Sequence, residues 1–149
     1  MKIFLDTSAL AKRYIEEPGS DELENLLHSA VKEVTVSTLA LPEFSAAISR
    51  KVRNKELSDE MATDAMKEIE IDWNGLFIKI PLFEDLAKQA ASLTIQFPLK
   101  GADAVHLVSA VASGADLFIA SDRQLISAAE QIGLQCFNPV AGFFQSKKD

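Results

Sequence analysis

The sequence predicts an α/β domain built around a parallel β-sheet. Short segments rich in β-branched and apolar residues alternate with longer segments of helical periodicity, from Lys2 to Phe137. This alternation is typical of βαβ units, which place their strands parallel to one another. No internal repeat, low-complexity block or linker interrupts the pattern. We therefore expect residues 1–149 to form one domain with one core.

The N-terminal half is predicted to contain two strands and four helices. Ser20 is a good helix N-cap, Pro42 suits a first helical turn, and Ser58 precedes two acidic residues that favour a helix start. The last of these helices carries an apolar stripe that we expect to pack against the core, at Met61, Ala65, Met66 and Ile69. The predicted order is strand Lys2–Leu5, a helix to Tyr14, a helix from Ser20 to about Ala30, strand Val34–Ser37, a helix with Pro42 in its first turn that runs to about Lys55, and a helix from Ser58.

The C-terminal half is predicted to contain three strands and three helices. Asn74-Gly75 is expected to form a turn, Pro98 interrupts a helical pattern, and Gly114 and Gly133 close helices. The predicted order is strand Leu76–Ile80, helix Phe83–Gln96, helix Ala102–Ser113, strand Leu117–Ala120, helix Arg123–Gln131 and strand Gln135–Phe137. The tail from about residue 141 is polar at its end and is expected to fray.

Composition limits the class of protein. The 48% of apolar residues are typical of a globular chain, and no stretch is long and apolar enough to span a bilayer. The N-terminal segment carries Asp6 where a secretory signal needs an apolar run. Cys136 is the single cysteine, so no intrachain disulfide can form. These observations predict a cytoplasmic protein.

The net charge of −7 argues against a protein that holds nucleic acid by charge alone. It does not exclude a nuclease, because site carboxylates contribute to that charge and divalent ions would offset them. Positive charge is concentrated in one segment of a predicted helix, at Arg50, Lys51, Arg53 and Lys55. This segment is interpreted either as a solvated helix end favoured by the macrodipole or as a surface that contacts RNA phosphates.

Four acidic residues stand where a predicted strand ends or a predicted helix begins. Asp6 and Asp122 follow strands, and Glu43 and Asp103 open helices. Ligands of open parallel sheets bind beyond the carboxyl ends of the strands, and right-handed crossovers bring distant residues to that edge. We therefore expect the four carboxylates to converge.

Converging carboxylates predict a divalent metal site, because like charges held close together repel unless a cation joins them. An all-oxygen site suits Mg²⁺ or Mn²⁺ and not zinc. Each acid also has an ordinary structural interpretation, as a helix N-cap or a first-turn residue that favours the macrodipole. His28 and His106 lack the paired spacing of zinc ligands, and His106 is expected to be packed or hydrogen-bonded.

At these residues the sequence resembles the PIN-domain family, and within it the VapC-type ribonuclease toxins of toxin–antitoxin pairs. The resemblance covers about residues 1–140 and is specific because four motifs occur in the family's order and spacing. They are FLDTSAL with Asp6, LALPEFSAA with Glu43, GADAVHLVSA with Asp103, and FIASDRQL with Asp122. The resemblance implies a three-layer α/β/α fold with a central parallel sheet, a Mg²⁺- or Mn²⁺-dependent ribonuclease, a homodimer and a small antitoxin partner.

The sequence departs from the family pattern around the fourth motif. Ala120 stands where the family often has threonine, with Ser121 beside the acid, and Gln124 stands where some members carry a further acid. Both departures weaken a second metal position, so one firmly held ion is expected. Ser8 often appears in the first motif, where it orients a carboxylate or a metal-bound water; its ordinary alternative is a helix cap.

The sequence is therefore interpreted as a metal-dependent endoribonuclease. Asp6, Asp103 and Asp122 are predicted to be direct or water-mediated metal ligands, and Glu43 is predicted to orient the attacking water or complete the outer shell. Supporting roles are predicted for Ser8 and Ser121. Candidate RNA-backbone contacts are Lys12, Arg13, Arg50, Lys51, Arg53 and Lys55.

Three alternatives remain at the sequence level. A phosphatase-like domain needs a second acid near the first-strand aspartate, whereas Thr7, Ser8 and Ala9 follow Asp6. An inactive PIN-like binding module would be free to lose acids that this chain keeps. A housekeeping RNA-processing nuclease without an antitoxin is the main alternative. A short reading frame immediately upstream of the gene would favour the toxin.

Overall fold

The computed structural model describes residues 1–142 and consists of five strands and seven helices in alternation. The elements are, in chain order, β1 (Lys2–Leu5), α1 (Thr7–Tyr14), α2 (Ser20–Leu27), β2 (Glu33–Ser37), α3 (Ala40–Arg53), α4 (Asp59–Gly75), β3 (Ile78–Ile80), α5 (Glu84–Gln96), α6 (Gly101–Ser113), β4 (Leu117–Ile119), α7 (Arg123–Gln131) and β5 (Cys136–Phe137). No helix in this part of the chain has the length and apolar character needed to cross a membrane.

The sheet is parallel throughout and has the strand order β3-β2-β1-β4-β5. The central strand β1 pairs with β4 in a register that places Ile3 beside Leu117 and Leu5 beside Ile119. From β1 the chain order runs to one edge of the sheet through β2 and β3, and from β4 it runs to the other edge through β5. Such a switch in strand order opens a crevice at the carboxyl ends of the two strands, where open α/β sheets bind their ligands.

Residues of β1 alternate between the two faces of the sheet and divide the core into two layers. Ile3 and Leu5 belong to a core cluster shared with α1 to α4, whereas Phe4 faces a cluster that includes Leu107 and Phe118. The Phe4 and Phe118 rings stack with centroids 5.9 Å apart. Helices therefore cover both faces, which confirms the predicted three-layer α/β/α fold.

All five predicted strands are present, but several predicted boundaries are wrong. Asn74-Gly75 is not a turn: α4 continues through Gly75, with the Leu76 amide donating to the Asp72 carbonyl at 2.8 Å. Strand β3 consequently begins at Ile78. Helix α2 ends at Leu27, before the predicted Ala30, whereas Pro42 lies in the first turn of α3, as predicted. Most of the tail predicted to fray, residues 143–149, lies outside the described residues.

The predicted apolar stripe of α4 is only partly buried. Ala65 and Ile69 lie in the core, and Met66 packs against it, but Met61 is 56% exposed. Periodicity identified the correct face of the helix. It could not show that the first turn of α4 extends beyond the elements that cover the rest of that face.

Gly19 and Gly114 allow a matched test of backbone constraint, since both have positive φ values, 94° and 68°. A Cβ atom at Gly19 would lie 3.0 Å from the Pro139 carbonyl carbon, whereas a Cβ at Gly114 would meet open space. We expect Gly114→Ala to lower the free energy of unfolding by about 1 kcal/mol, the cost of a left-handed alanine. Gly19→Ala should cost roughly 1–3 kcal/mol more, because overpacking adds to that cost.

Urea denaturation of the two variants and the parent measures both costs. Equal losses for the two variants would show that the Pro139 segment moves aside at no cost, which would contradict the packing described here.

Candidate active site

The four predicted acids gather at the carboxyl edge of the sheet. Asp6 directly follows β1, Asp122 follows the neighbouring strand β4, and Glu43 and Asp103 lie in the first turns of α3 and α6. Their charges act on one another: Asp103 raises the pKa of Asp6, and Asp122 and Glu43 raise the pKa of Asp103. The structure therefore brings together residues that are more than a hundred positions apart in the sequence.

Asp6 is a nearly buried carboxylate that also caps α1. It is 4% exposed, and its Oδ1 accepts hydrogen bonds from the Ala9 amide and the Ser8 hydroxyl, each at 2.8 Å. Burial raises the pKa of Asp6, while these two hydrogen bonds oppose the increase. Ser8 thus orients the Asp6 carboxylate, and the helix cap is Asp6 itself.

Asp122 has the corresponding position at the end of β4. Its Oδ1 accepts the Leu125 amide at 2.9 Å and caps α7, while the residue as a whole is exposed. Leu125 is fully buried, so the first turn of α7 is fixed against the core. The hydroxyl oxygen of the adjacent Ser121 is buried and has no hydrogen-bond partner within residues 1–142.

Glu43 is held by two donors on one oxygen. Its Oε1 lies 2.6 Å from the Thr7 hydroxyl and 2.5 Å from Nε2 of His106. Burial raises the pKa of Glu43, but the hydrogen bonds from His106 and Thr7 outweigh it, so the pKa is lowered overall. His106 is packed and hydrogen-bonded, as the sequence predicts. The role of Thr7 was missed, although its position directly after the first acid was a usable signal.

Among the four acids, Asp103 differs in having no hydrogen-bond donor for its carboxylate within the described residues. Its pKa is raised by burial and by the negative charges of Asp122 and Glu43. His106 and Lys100 oppose that increase. Because burial and two neighbouring negative charges disfavour the charged form of Asp103, a nearby cation would stabilise that form.

Three of the acids share one arrangement: one carboxylate oxygen is bound to the protein and the other has no hydrogen bond within the described part of the chain. The occupied atoms are Oδ1 of Asp6, Oε1 of Glu43 and Oδ1 of Asp122. Residues 1–142 contain no group of three or more His, Cys, Asp or Glu side chains placed to enclose an ion. The donors present still fit Mg²⁺, which usually keeps several waters and takes one or two carboxylates.

Two of the predicted RNA contacts, Lys12 and Arg13, lie in the last turn of α1, and each is paired with a carboxylate from another segment. Lys12 is buried, with Nζ 3.1 Å from Oε1 of Glu17. Arg13 donates from Nε to Asp72 at 2.9 Å and lies 3.3 Å from Glu24. An ammonium must be accessible to reach a phosphate, so a buried Lys12 is poorly placed to contact RNA. Arg13 is already engaged by two acids.

The second group of predicted contacts lies at the far end of the helix that carries Glu43. Arg50 and Arg53 are exposed on the last turn of α3, Lys55 is exposed just beyond it, and Lys51 pairs with Glu56 at 3.8 Å. With a rise of 1.5 Å per residue, this group is about 10–15 Å along the axis from Glu43. That separation is the length of a few nucleotides.

A cleft between α3 and α4 was not anticipated from the sequence. It has a volume of about 1080 Å³, and its apolar lining includes Ile48, Val52, Met66 and Trp73. The cleft arises because α3 and α4 contribute apolar residues that the sheet does not cover. Neither helix alone indicates it.

These observations define a parallel α/β domain with an acidic site at the switch in its strand order. A family model described as the PIN domain matches residues 3–131. The chain therefore belongs to the PIN-domain family. It is similar to Ribonuclease VapC45 of Mycobacterium tuberculosis, with 32% identity over 133 residues that cover 88% of this chain and 91% of that protein.

Two solved structures share the fold. VapC20 of Mycobacterium tuberculosis, a toxin that cleaves the sarcin–ricin loop, has a TM-score of 0.67 at 20% identity, covering 85% of this chain and 94% of that chain. A toxin–antitoxin complex from Klebsiella pneumoniae has a TM-score of 0.66 at 15% identity, covering 92% of this chain and 97% of that chain. At these identities the likeness shows a common fold.

Asp103→Asn tests the repulsion among the acids. Since the pKa of Asp103 is raised in the folded protein, its stabilising contribution is present below the ordinary aspartate value and is lost as the pH rises through the raised pKa. The variant removes that loss, so the metal-free variant should be at least as stable as the parent at neutral pH. Its advantage should shrink as the pH falls toward about 4, near the ordinary pKa.

Thermal melts across this pH range make the measurement, with Asp64→Asn as the control, because it removes the same charge from an exposed position on α4. A metal-free Asp103→Asn variant that melts well below the parent at neutral pH would show that Asp103 supports the start of α6, contrary to the repulsion argument.

Proposed function

We propose that this protein is a metal-dependent endoribonuclease that hydrolyses RNA phosphodiester bonds and is the toxin of a toxin–antitoxin pair. The observation that carries the proposal is the set of four acids at the strand-order switch, three of them with one oxygen fixed and one free. Membership of the PIN-domain family and the similarity to a ribonuclease support the same conclusion.

The proposed cofactor is Mg²⁺ or Mn²⁺, held directly or through water by Asp6, Asp103 and Asp122. Such an ion, when bound, supplies charge stabilisation to the phosphate and lowers the pKa of a water. The protein supplies the geometry. Ser8 and the Ala9 amide fix the Asp6 carboxylate, and the Leu125 amide fixes Asp122. Ser121 keeps its proposed supporting role beside Asp122.

Glu43 is the proposed acceptor that orients the attacking water. Its pKa is lowered, so it stays ionised and able to accept a hydrogen bond near neutral pH. Arg50, Arg53 and Lys55, with Lys51, are proposed to contact the RNA backbone away from the cleavage point, where their charge offsets the acidity of the protein. A homodimer remains an expectation from the family resemblance, and a cytoplasmic location remains a prediction from the sequence.

Metal-dependent cleavage is directly testable. Purified protein should cut single-stranded RNA in Mg²⁺ or Mn²⁺ and stop in EDTA. Without a cation, the carboxylates cannot stabilise the negative charge that develops on the phosphate oxygens in the transition state. Glu43→Gln and Asp103→Asn, purified identically, are the matched controls for contaminating nuclease. They should lower the rate by at least about 100-fold, the usual loss when a positioned catalytic group is removed.

Undiminished cleavage in EDTA by the parent, with both variants inactive, would overturn the metal mechanism while leaving the ribonuclease assignment intact. Cleavage by the parent and both variants alike would instead identify a contaminant.

An antitoxin is proposed as the protein partner, by analogy with the Klebsiella pneumoniae complex of the same fold. Its inhibitory segment is expected to bring an arginine to the acids, since a guanidinium can pair with two carboxylate oxygens at once. The free oxygens of Asp6 and Asp103 are the expected acceptors. A protein encoded directly upstream of the gene is the candidate to test.

Asp6→Asn and Asp103→Asn together should weaken the complex with that protein by at least about tenfold, as well as abolish cleavage. Asparagine is preferred to alanine at position 6 because it preserves the cap on α1, whose loss costs about 1 kcal/mol. Titration calorimetry gives the affinities. An unchanged affinity would show that the antitoxin inhibits from another surface.

A further inference from the structure

Thr7, Glu43 and His106 form a partly buried hydrogen-bond network that joins three elements at the site. Thr7 opens α1, Glu43 lies in the first turn of α3, and His106 lies on α6, one turn after Asp103. The Thr7 hydroxyl is 2.6 Å from Oε1 of Glu43, and Nε2 of His106 is 2.5 Å from the same oxygen and 3.1 Å from the Thr7 hydroxyl. Each member therefore contacts the other two.

The direction of each hydrogen bond follows from the chemistry of the groups. A carboxylate only accepts, so Nε2 carries its hydrogen and donates to Glu43, and the Thr7 hydroxyl also donates to it. The Thr7 hydroxyl oxygen also lies 3.1 Å from Nε2 and can accept a share of the same N–H. Nδ1 of His106 is buried and has no partner within residues 1–142, as expected when it carries no hydrogen.

The His106 ring is held rigidly. It is 1% exposed, and its edge packs against Phe4 of β1, with ring centroids 6.4 Å apart and an interplanar angle of 65°. Phe4 in turn stacks on Phe118 of β4. The orientation of Nε2 is consequently set by the packed centre of the sheet, and a rotation of the ring would disturb that packing.

Both donors meet Oε1 of Glu43, and this leaves Oε2 with no hydrogen bond to the described residues. Glu43 is half-buried, and its negative charge acts on Asp103. The carboxylate is thus anchored through one oxygen while the other is available beside the remaining acids. A glutamate on its own would have three rotatable bonds and no such preference.

We infer that His106 and Thr7 are positioning residues that hold Glu43 by Oε1 so that Oε2 faces the reacting water. The inference rests on the proposed ribonuclease function. It assigns a role to a buried histidine whose hydrogen-bond partners are Glu43 and Thr7. Because both residues act through Glu43, their effect on catalysis disappears when Glu43 no longer carries its carboxylate.

The test compares variants that remove a donor with variants that keep it. His106→Leu and Thr7→Val remove the donor, whereas His106→Gln and Thr7→Ser retain one. We expect His106→Leu to lower kcat by about 10- to 100-fold, the usual effect of losing an outer-shell partner, with KM changed by less than about twofold. His106→Gln and Thr7→Ser should recover most of that loss.

Non-additivity is the decisive comparison. In a Glu43→Gln background, adding His106→Leu should lower kcat by less than about twofold, since residues that act as one unit do not contribute independently. Ser109→Ala is the matched control: Ser109 is buried on the same helix, and its hydroxyl has no partner in the described residues. That variant should keep the parental kcat and KM.

The full 10- to 100-fold loss in the Glu43→Gln background would overturn the inference, as would a change confined to KM. If His106→Leu does not fold, Thr7→Val at the less buried end of the network gives the same comparison.

A nitrogen-15 NMR measurement of the histidine ring separates this inference from the proposed function. The parent protein should show the hydrogen of His106 on Nε2, and Glu43→Gln should shift the Nε2 resonance. A hydrogen on Nδ1 instead would overturn the positioning role, because Nε2 could not then donate to Glu43. A parent protein that cuts no RNA would overturn the proposed function, while the NMR result would still decide whether His106 orients Glu43.

Discussion

A single carboxylate, that of Asp6, imposes the main physical constraint on this site. It ends the central strand of the sheet, where neighbouring strands on both sides exclude water, and an unpaired charge there is costly. The Ala9 amide and the Ser8 hydroxyl, in the first turn of α1, offset part of this cost. One residue therefore ends a strand, begins a helix and faces the site.

The other acids differ in how much the protein compensates their charge. For Glu43, two hydrogen-bond donors outweigh the cost of burial, so its pKa is lowered. Asp103 has no donor within the described residues, and its pKa is raised. This asymmetry separates an acid whose charged form is favoured by protein contacts from an acid whose charged form is disfavoured by burial and by neighbouring carboxylates. The proposed roles follow that division, with Glu43 directed to water and Asp103 to a metal ion.

The sequence was sufficient for features that depend on local signals. The order of strands and helices follows from the alternation of patterns. The position of each acid at the start of a helix, and the edge of the sheet that the four acids share, follow from the geometry of parallel sheets. The exact ends of α4 and β3 did not follow, because the Leu76 and Phe77 amides both donate to the Asp72 carbonyl and carry the helix past the Asn-Gly pair. The choice between a helical and a turn conformation at an Asn-Gly pair is made by such contacts.

Features that depend on tertiary partners could not be predicted from the sequence. The burial of Lys12 depends on the loop that brings Glu17 against it, and the α3–α4 cleft depends on how two helices meet. The Thr7–Glu43–His106 network joins residues from three separate segments. Each of these residues has an ordinary local interpretation, and only the folded geometry shows which one applies.

The pairing of β1 with β4 has a consequence for folding during synthesis. The Lys2 amide donates to the Asp116 carboxylate, a contact that spans 114 residues of sequence. A growing chain can pair β1 with β2 early, but it has neither β4 nor Asp122 until residues 117–122 have been made. Long-range strand pairing of this kind forms late, after the entropy of closing the intervening loop has been overcome. A nascent chain on the ribosome therefore holds an incomplete set of the four acids until Asp122 has been made.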